Sequence, residues 1–147
     1  MSATPLVFTL RNDLEALGAV SEQVESALAP LHLTAREAYA IRLVLDESLS
    51  NTINYGYSDS SVHEIRLELL IDDEAVTITI TDDAMLFNPL AAAAPSIGGD
   101  LDDRPIGGLG IHLTRTVMDE CTYSVENGRN RLVMRKKKNL GGSPTAP

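Results

Sequence analysis

The chain has 147 residues, 44% of them apolar, enough for one compact domain with its own core and short for two. Its 21 acidic and 12 basic residues leave a formal net charge of -9, which disfavours direct nucleic-acid binding through phosphate neutralisation and suits a protein partner better. A single cysteine, Cys121, with scattered histidines at 32, 63 and 112 excludes a disulfide framework and implies no structural metal. Met1 to Pro5 lack leader character, and no stretch approaches the roughly 18 apolar residues of a membrane span, so a soluble, cytoplasmic protein without a membrane partner is expected.

Pro5 to Leu10 reads as a short strand. Asn12 followed three residues later by Glu15 has the form of a capping box, and Leu14, Leu17, Val24, Leu28 and Leu31 recur near helical spacing. Pro30 and His32 interrupt that pattern. Thr34 and Glu37 form a second capping box, which predicts a helix from Ala35 to Tyr55 ended by Gly56. The period then falls to two. Ile65, Leu67, Leu69 and Ile71 alternate with charged residues, and beyond the turn Asp72-Asp73-Glu74 come Val76, Ile78 and Ile80 interleaved with threonines, predicting an antiparallel hairpin with one buried face. From Asp83 to Ile106 periodicity vanishes, and a loop of that length is expected to act as a lid. A helix from Leu109 to Met118 should follow. Cys121 to Glu126 and Arg129 to Lys136 then flank Asn127-Gly128, the strongest hairpin signal in the chain. The run Arg135 to Lys138 and the Gly, Ser and Pro content beyond it predict a solvated, flexible tail over 138–147. Helices on one face of a mostly antiparallel sheet cover such strands most economically, so the expected fold is a two-layer α/β sandwich.

Three groups of residues carry chemistry. On the second helix, Ile41, Leu45 and Leu49 form one apolar stripe, while Glu47 and Asn51, four residues apart, share nearly the opposite side. Their neighbours Ala40, Leu43 and Val44 are apolar, so the pair would need a satisfying partner, and a hydrated cation with phosphates would serve; the spacing alone equally fits a surface glutamate beside a helix-end asparagine. Asp82 ends a strand, where a carboxylate can accept from an exocyclic amine, although aspartate after a strand also serves local turns. Strand alternation from Ile78 and Ile80 sets Asp82, rather than Asp83, on their face. Gly107, Gly108 and Gly110 open a helix, where backbone amides can approach an anion, without the lysine ending of a P-loop or a preceding parallel strand.

In this order the three groups resemble the GHKL nucleotide-binding superfamily, and within it the small anti-sigma-factor serine/threonine kinases of bacteria. Leu45-Asp-Glu-Ser-Leu-Ser-Asn51 followed by Asn54-Tyr-Gly-Tyr57 is similar to that family's first box. Asp82 with Phe87-Asn88-Pro89 is similar to the second, and Arg104-Pro-Ile-Gly-Gly-Leu-Gly-Ile111 with Met118-Asp119-Glu120 to the third. The resemblance implies an ATP-binding domain of the GHKL type over 5–137, with its lid near 83–106. It implies ATP and Mg2+ as cofactors, a sigma factor and a STAS-type anti-sigma antagonist as partners, and a homodimer. By position it implies Glu47 as catalytic base, Asn51 as Mg2+ ligand and Asp82 as the hydrogen-bond acceptor for the adenine amine. Ala84, Arg104, Gly107, Gly108, Leu109 and Gly110 complete the nucleotide site. The implied activity is transfer of a phosphoryl group to the antagonist's serine or threonine, together with sequestration of the sigma factor. A non-catalytic, nucleotide-responsive regulator and a stand-alone GHKL ATPase are the alternatives. One departure stands out: Ala84 occupies a position where the family's second box carries glycine, and alanine there costs about 1 kcal/mol if the backbone needs positive φ. His112 and Cys121 read as structural, Phe87 with Pro89 as the root of the lid, and Tyr55 and Tyr57 as packing at the helix end.

Overall fold

The computed structural model describes residues 5–91 and 117–138. In chain order these are β1 (Leu6–Arg11), α1 (Leu14–Leu28), a 3-10 turn at Ala29–Leu31, α2 (Ala35–Tyr55), β2 (Glu64–Ile71) and β3 (Ala75–Asp82). A second 3-10 turn at Pro89–Ala91 precedes β4 (Glu120–Glu126) and β5 (Arg129–Lys137). The strands form one sheet in the order β1-β2-β3-β5-β4, antiparallel at every step. With α1 and α2 packed on one face, this is the expected two-layer α/β sandwich.

The alternation seen in the sequence sets the core. Leu67 and Leu69 of β2 pair with Ile80 and Ile78 of β3, which pair in turn with Leu132 and Met134 of β5. Against these rows pack Val20, Val24 and Leu28 from α1 and Ile41, Val44, Leu45 and Leu49 from α2. The opposite face carries Thr77, Thr79 and Thr81, half-buried, and a lattice of exposed ion pairs such as Arg135 with Glu74 and Glu120. That face can remain in water.

The second helix begins as its capping box requires. Thr34 Oγ1 accepts from Glu37 N at 3.0 Å and Glu37 Oε1 accepts from Thr34 N at 2.9 Å. The first helix differs by one residue. Its N-cap is Asp13, whose carboxylate accepts from Ala16 N at 2.7 Å. Asn12 is held elsewhere: its Oδ1 accepts from His63 N at 3.0 Å, while its own N–H donates to His63 O at 3.1 Å. A tertiary tie to the start of β2 thus takes the residue that local pattern assigns to the helix.

Asn127 and Gly128 have φ of 55° and 76°, the left-handed pair of a two-residue hairpin turn. The basic run is largely structured. Arg135, Lys136 and Lys137 belong to β5, and Lys138 donates from its backbone to Glu74 O at 2.8 Å and from Nζ to Asp72 O at 2.9 Å. Most of the expected lid, at 92–106, and the third helix up to residue 116 lie outside the described residues. So does 139–147. Met118, just beyond, is buried in the core. Among the described residues no helix is long and apolar enough to cross a membrane.

Candidate functional site

The far end of α2 stands over the ends of β3 and β5 and encloses a cavity of about 170 Å³. Ser48, Asn51, Thr52 and Tyr55 form its helical wall, a stripe at i, i+3, i+4 and i+7 that adjoins the apolar stripe of Ile41, Leu45 and Leu49. Ile80 and Leu132 supply an apolar floor. Asp82, Ala84, Tyr123 and Asn130 close the remaining side, with Met85, Phe87 and Pro89 at the margin. A mostly apolar cleft with a few convergent polar groups is the form a small-molecule site takes.

Asn51 is the anomaly in the wall. Its Nδ2 is buried and has no hydrogen-bond partner among the described residues, a condition rare in folded proteins and expensive unless a ligand completes it. The neighbouring Thr52 hydroxyl is already spent on Ser48 O at 3.1 Å. A carboxamide also offers an oxygen, the hard donor that Mg2+ prefers, and Mg2+ held at phosphates needs only one or two protein ligands. The unpaired N–H calls for an acceptor such as a phosphate oxygen, and the carboxamide oxygen suits Mg2+, so the residue fits Mg2+ with its phosphates. Glu47, one turn earlier, is half-buried, does not line the cavity, and makes no side-chain hydrogen bond or ion pair among the described residues.

Asp82 lies 5% exposed at the end of β3, on the inward face that alternation assigns it. Its Oδ1 accepts from Ala84 N at 3.0 Å and from Asn130 Nδ2 at 2.8 Å. Oδ2 accepts from no described residue. Burial pushes the carboxyl above its ordinary value, and the bonds from Asn130 and Ala84 oppose that shift. Asp83 points the other way. Its carboxylate receives His63 Nδ1 at 3.0 Å and the Tyr57 hydroxyl at 3.3 Å, while His63 Nε2 reaches Asp59 at 2.9 Å and the Tyr57 and His63 rings stack 4.4 Å apart. The bonds to Asp83 and Asp59 raise the His63 pKa, and the bond from His63 lowers both carboxyls. Desolvation, then the charges of Asp82 and Asp83, push the Tyr57 phenol upward.

Ala84 does not adopt the strained backbone that its replacement of glycine would suggest. Among the described non-glycine residues only His32 and Asn127 have positive φ. Its buried methyl instead packs on Gly56: a Cβ added there would stand 2.8 Å from Ala84 Cβ and 2.7 Å from Thr52 O. Met85 N donates to Gly56 O at 2.9 Å, fastening the same turn to the end of α2. The methyl is accommodated by the absence of one opposite.

The structure brings together Asn51, Asp82 and Ala84. Glu47 stands beside them on α2, whereas Arg104, Gly107, Gly108, Leu109 and Gly110, with His112, lie outside the described residues. Sequence reasoning missed Ser48, Tyr123 and above all Asn130. The signal was present, since counting by two from Met134 through Leu132 sets Asn130 on the apolar face, where an amide requires partners.

Comparison with known proteins agrees with this fold. The chain is 29% identical over 101 residues to the serine/threonine-protein kinase BtrW of Bordetella bronchiseptica, covering 69% of this chain and 71% of that protein. It is 26% identical over 135 residues to an anti-sigma F factor of Clostridium perfringens, covering 91% of this chain and 95% of that protein. A crystal structure of the RsbU and RsbW domains of Rv1364c from Mycobacterium tuberculosis superposes with a TM-score of 0.64 over 92% of this chain, at 16% identity, a likeness of fold alone. The chain spans about a third of that longer protein, 32%. The model of the histidine kinase-like ATPase domain matches residues 10–136, and the chain belongs to that family.

Proposed function

We propose that this chain is an ATP-dependent serine/threonine protein kinase acting in the cytoplasm as an anti-sigma regulatory factor. It would phosphorylate a STAS-type anti-sigma antagonist and sequester a sigma factor. The observation that carries the nucleotide site is the buried amide nitrogen of Asn51, without a partner among the described residues, in the wall of a cavity whose other side holds the buried carboxylate of Asp82. The names of the relatives, a serine/threonine-protein kinase and an anti-sigma F factor, support the protein-directed activity.

In this reading residues 5–137 form the ATP-binding domain, with 83–106 as its lid and 138–147 as a tail. Asp82 accepts from the adenine amine through Oδ2, and the floor of Ile80 and Leu132 excludes water beneath the base. Asn51 offers its carboxamide oxygen to Mg2+, which when bound neutralises phosphate charge. Arg104 and the turn Gly107 to Gly110, Leu109 included, are assigned to the phosphate side. Glu47, one helical turn from Asn51, orients the acceptor hydroxyl and takes its proton. Phosphoryl transfer asks little more of a protein than position, charge neutralisation and such a base.

The test is transfer of labelled γ-phosphate from ATP to a cognate anti-sigma antagonist domain. Glu47→Ala should cut transfer by about 10²-fold or more while ATP still binds. Asn51→Ala should remove the Mg2+-dependent part of ATP affinity. The position of Glu47 outside the cavity lining favours one second reading, a regulator whose partner affinity changes between ADP and ATP without phosphate moving. ATP binding by the wild type with no transfer to its own antagonist would select that second reading.

A further inference from the structure

Asn130 is 8% exposed and sits on β5 directly opposite Asp82 in the β3–β5 ladder, 48 residues away in sequence. Its Nδ2 donates to Asp82 Oδ1 at 2.8 Å, to Met85 O at 3.1 Å and to Ala84 O at 3.2 Å. Its Oδ1 accepts from Phe87 N at 3.1 Å and from the Tyr123 hydroxyl. Two N–H hydrogens and two lone pairs are the full capacity of a carboxamide, so Asn130 lines the cavity with nothing left for a ligand. The orientation is also unique. Turning the amide over would set its oxygen against a carboxylate and two carbonyls, and its N–H groups against the Phe87 N–H.

Building on the Mg·ATP reading above, we infer that Asn130 is a positioning residue for base selection: by occupying Asp82 Oδ1 it fixes Oδ2 as an acceptor toward the cavity, so that the site takes a 6-amino purine and refuses a 6-keto one. Ala84 N shares the same oxygen at 3.0 Å, leaving Oδ2 as the free one. An ionised Oδ2 attracts an amine N–H and repels a keto oxygen. Burial works against that charge, because a protonated Asp82 could donate to a keto group, and the donation from Asn130 favours the ionised form. Selectivity therefore depends on the hydrogen bonds made behind the carboxylate, of which Asn130 supplies the shorter.

Titration calorimetry of the full chain with ATP, GTP and inorganic triphosphate, each with Mg2+, tests this, using Asn130→Thr and Asn130→Val. Both variants abandon the carbonyls of Ala84 and Met85 and match in shape; only the threonine keeps a donor for Asp82. Asn130→Val should lower the ATP-to-GTP affinity ratio by about tenfold or more, and Asn130→Thr should stay within about threefold of wild type. Triphosphate affinity should be unchanged in both, and the pH below which ATP affinity falls should move upward only in Asn130→Val. Equal ratios and equal pH profiles in the two variants would overturn the inference and leave Asn130 a purely structural tie. If Asn130→Val does not fold, Tyr123→Phe frees one end of the amide, and the ratio should fall about threefold; an unchanged ratio would be equally adverse. A wild type that binds triphosphate and ATP but does not distinguish ATP from GTP defeats the inference alone, whereas a wild type that binds no Mg2+ nucleotide defeats the underlying reading as well.

Discussion

At the scale of single residues, the contact between Ala84 and Gly56 explains how the chain carries alanine at the position where the resemblance expects glycine. Gly56 closes α2 with φ -84°, so its freedom to adopt positive φ is not used; what matters is the space its missing Cβ leaves. Gly56→Ala should therefore destabilise the protein by about 1–3 kcal/mol, since backbone at Thr52 and the Ala84 methyl both crowd the new group. Chemical denaturation with urea would read that loss. Ala84→Gly should cost about 1 kcal/mol by removing a buried methyl and loosening the turn, with ATP affinity retained. The inward side chain of Asp82 was legible, because alternation along one strand is a local rule. Asn130 was not assigned to the site, because its meaning depends on which strand lies beside β3, and nothing local in the sequence states that β5 does.

At the scale of elements, local signals were reliable where no tertiary bond competed for the same residue. The capping box of α2 formed as written, and Thr34→Ala should cost about 1 kcal/mol in thermal or urea unfolding. The start of α1 moved to Asp13 because Asn12 is engaged by His63, 51 residues away. His63 also joins the segment after α2, through Asp59 and Tyr57, to the end of β3, through Asp83. Its folded pKa lies above the ordinary 6.5, so its contribution to stability is complete below about 6.5 and is lost as pH rises through the raised value. Asp59 and Asp83 have lowered values, so their share is present above the ordinary carboxyl range and disappears as pH falls through those values. The stability gap between wild type and His63→Gln should accordingly be widest between these limits and close on the alkaline side. Melting temperatures across that range measure it.

At the scale of the whole molecule, the sheet ends, among the described residues, at β1 on one side and β4 on the other. An open antiparallel sheet presents unpaired backbone groups there, which gives a physical route to the homodimer that the family resemblance implies. Sedimentation should return the mass of two chains, and a single-chain mass at all concentrations would contradict that expectation. The alternating strands and the helical layer were readable because burial of one face imposes a period on the sequence. The strand order was not, since both hairpins can be drawn without knowing how they adjoin. That adjacency gives the Asn127-Gly128 turn a significance beyond joining two strands. β5 is anchored on β3 through Leu132 and Met134, so a slip by one position in the last hairpin must be taken up by β4. Cys121, Tyr123 and Val125 would then rotate off the inner face, and Ser124 or Glu126 would come beside Asn130 in place of Val125. A carboxylate or a hydroxyl would then compete for the amide that serves Asp82, in a protein otherwise folded. Substitutions at Gly128, far from any phosphate chemistry, should thus surface as errors of nucleotide choice.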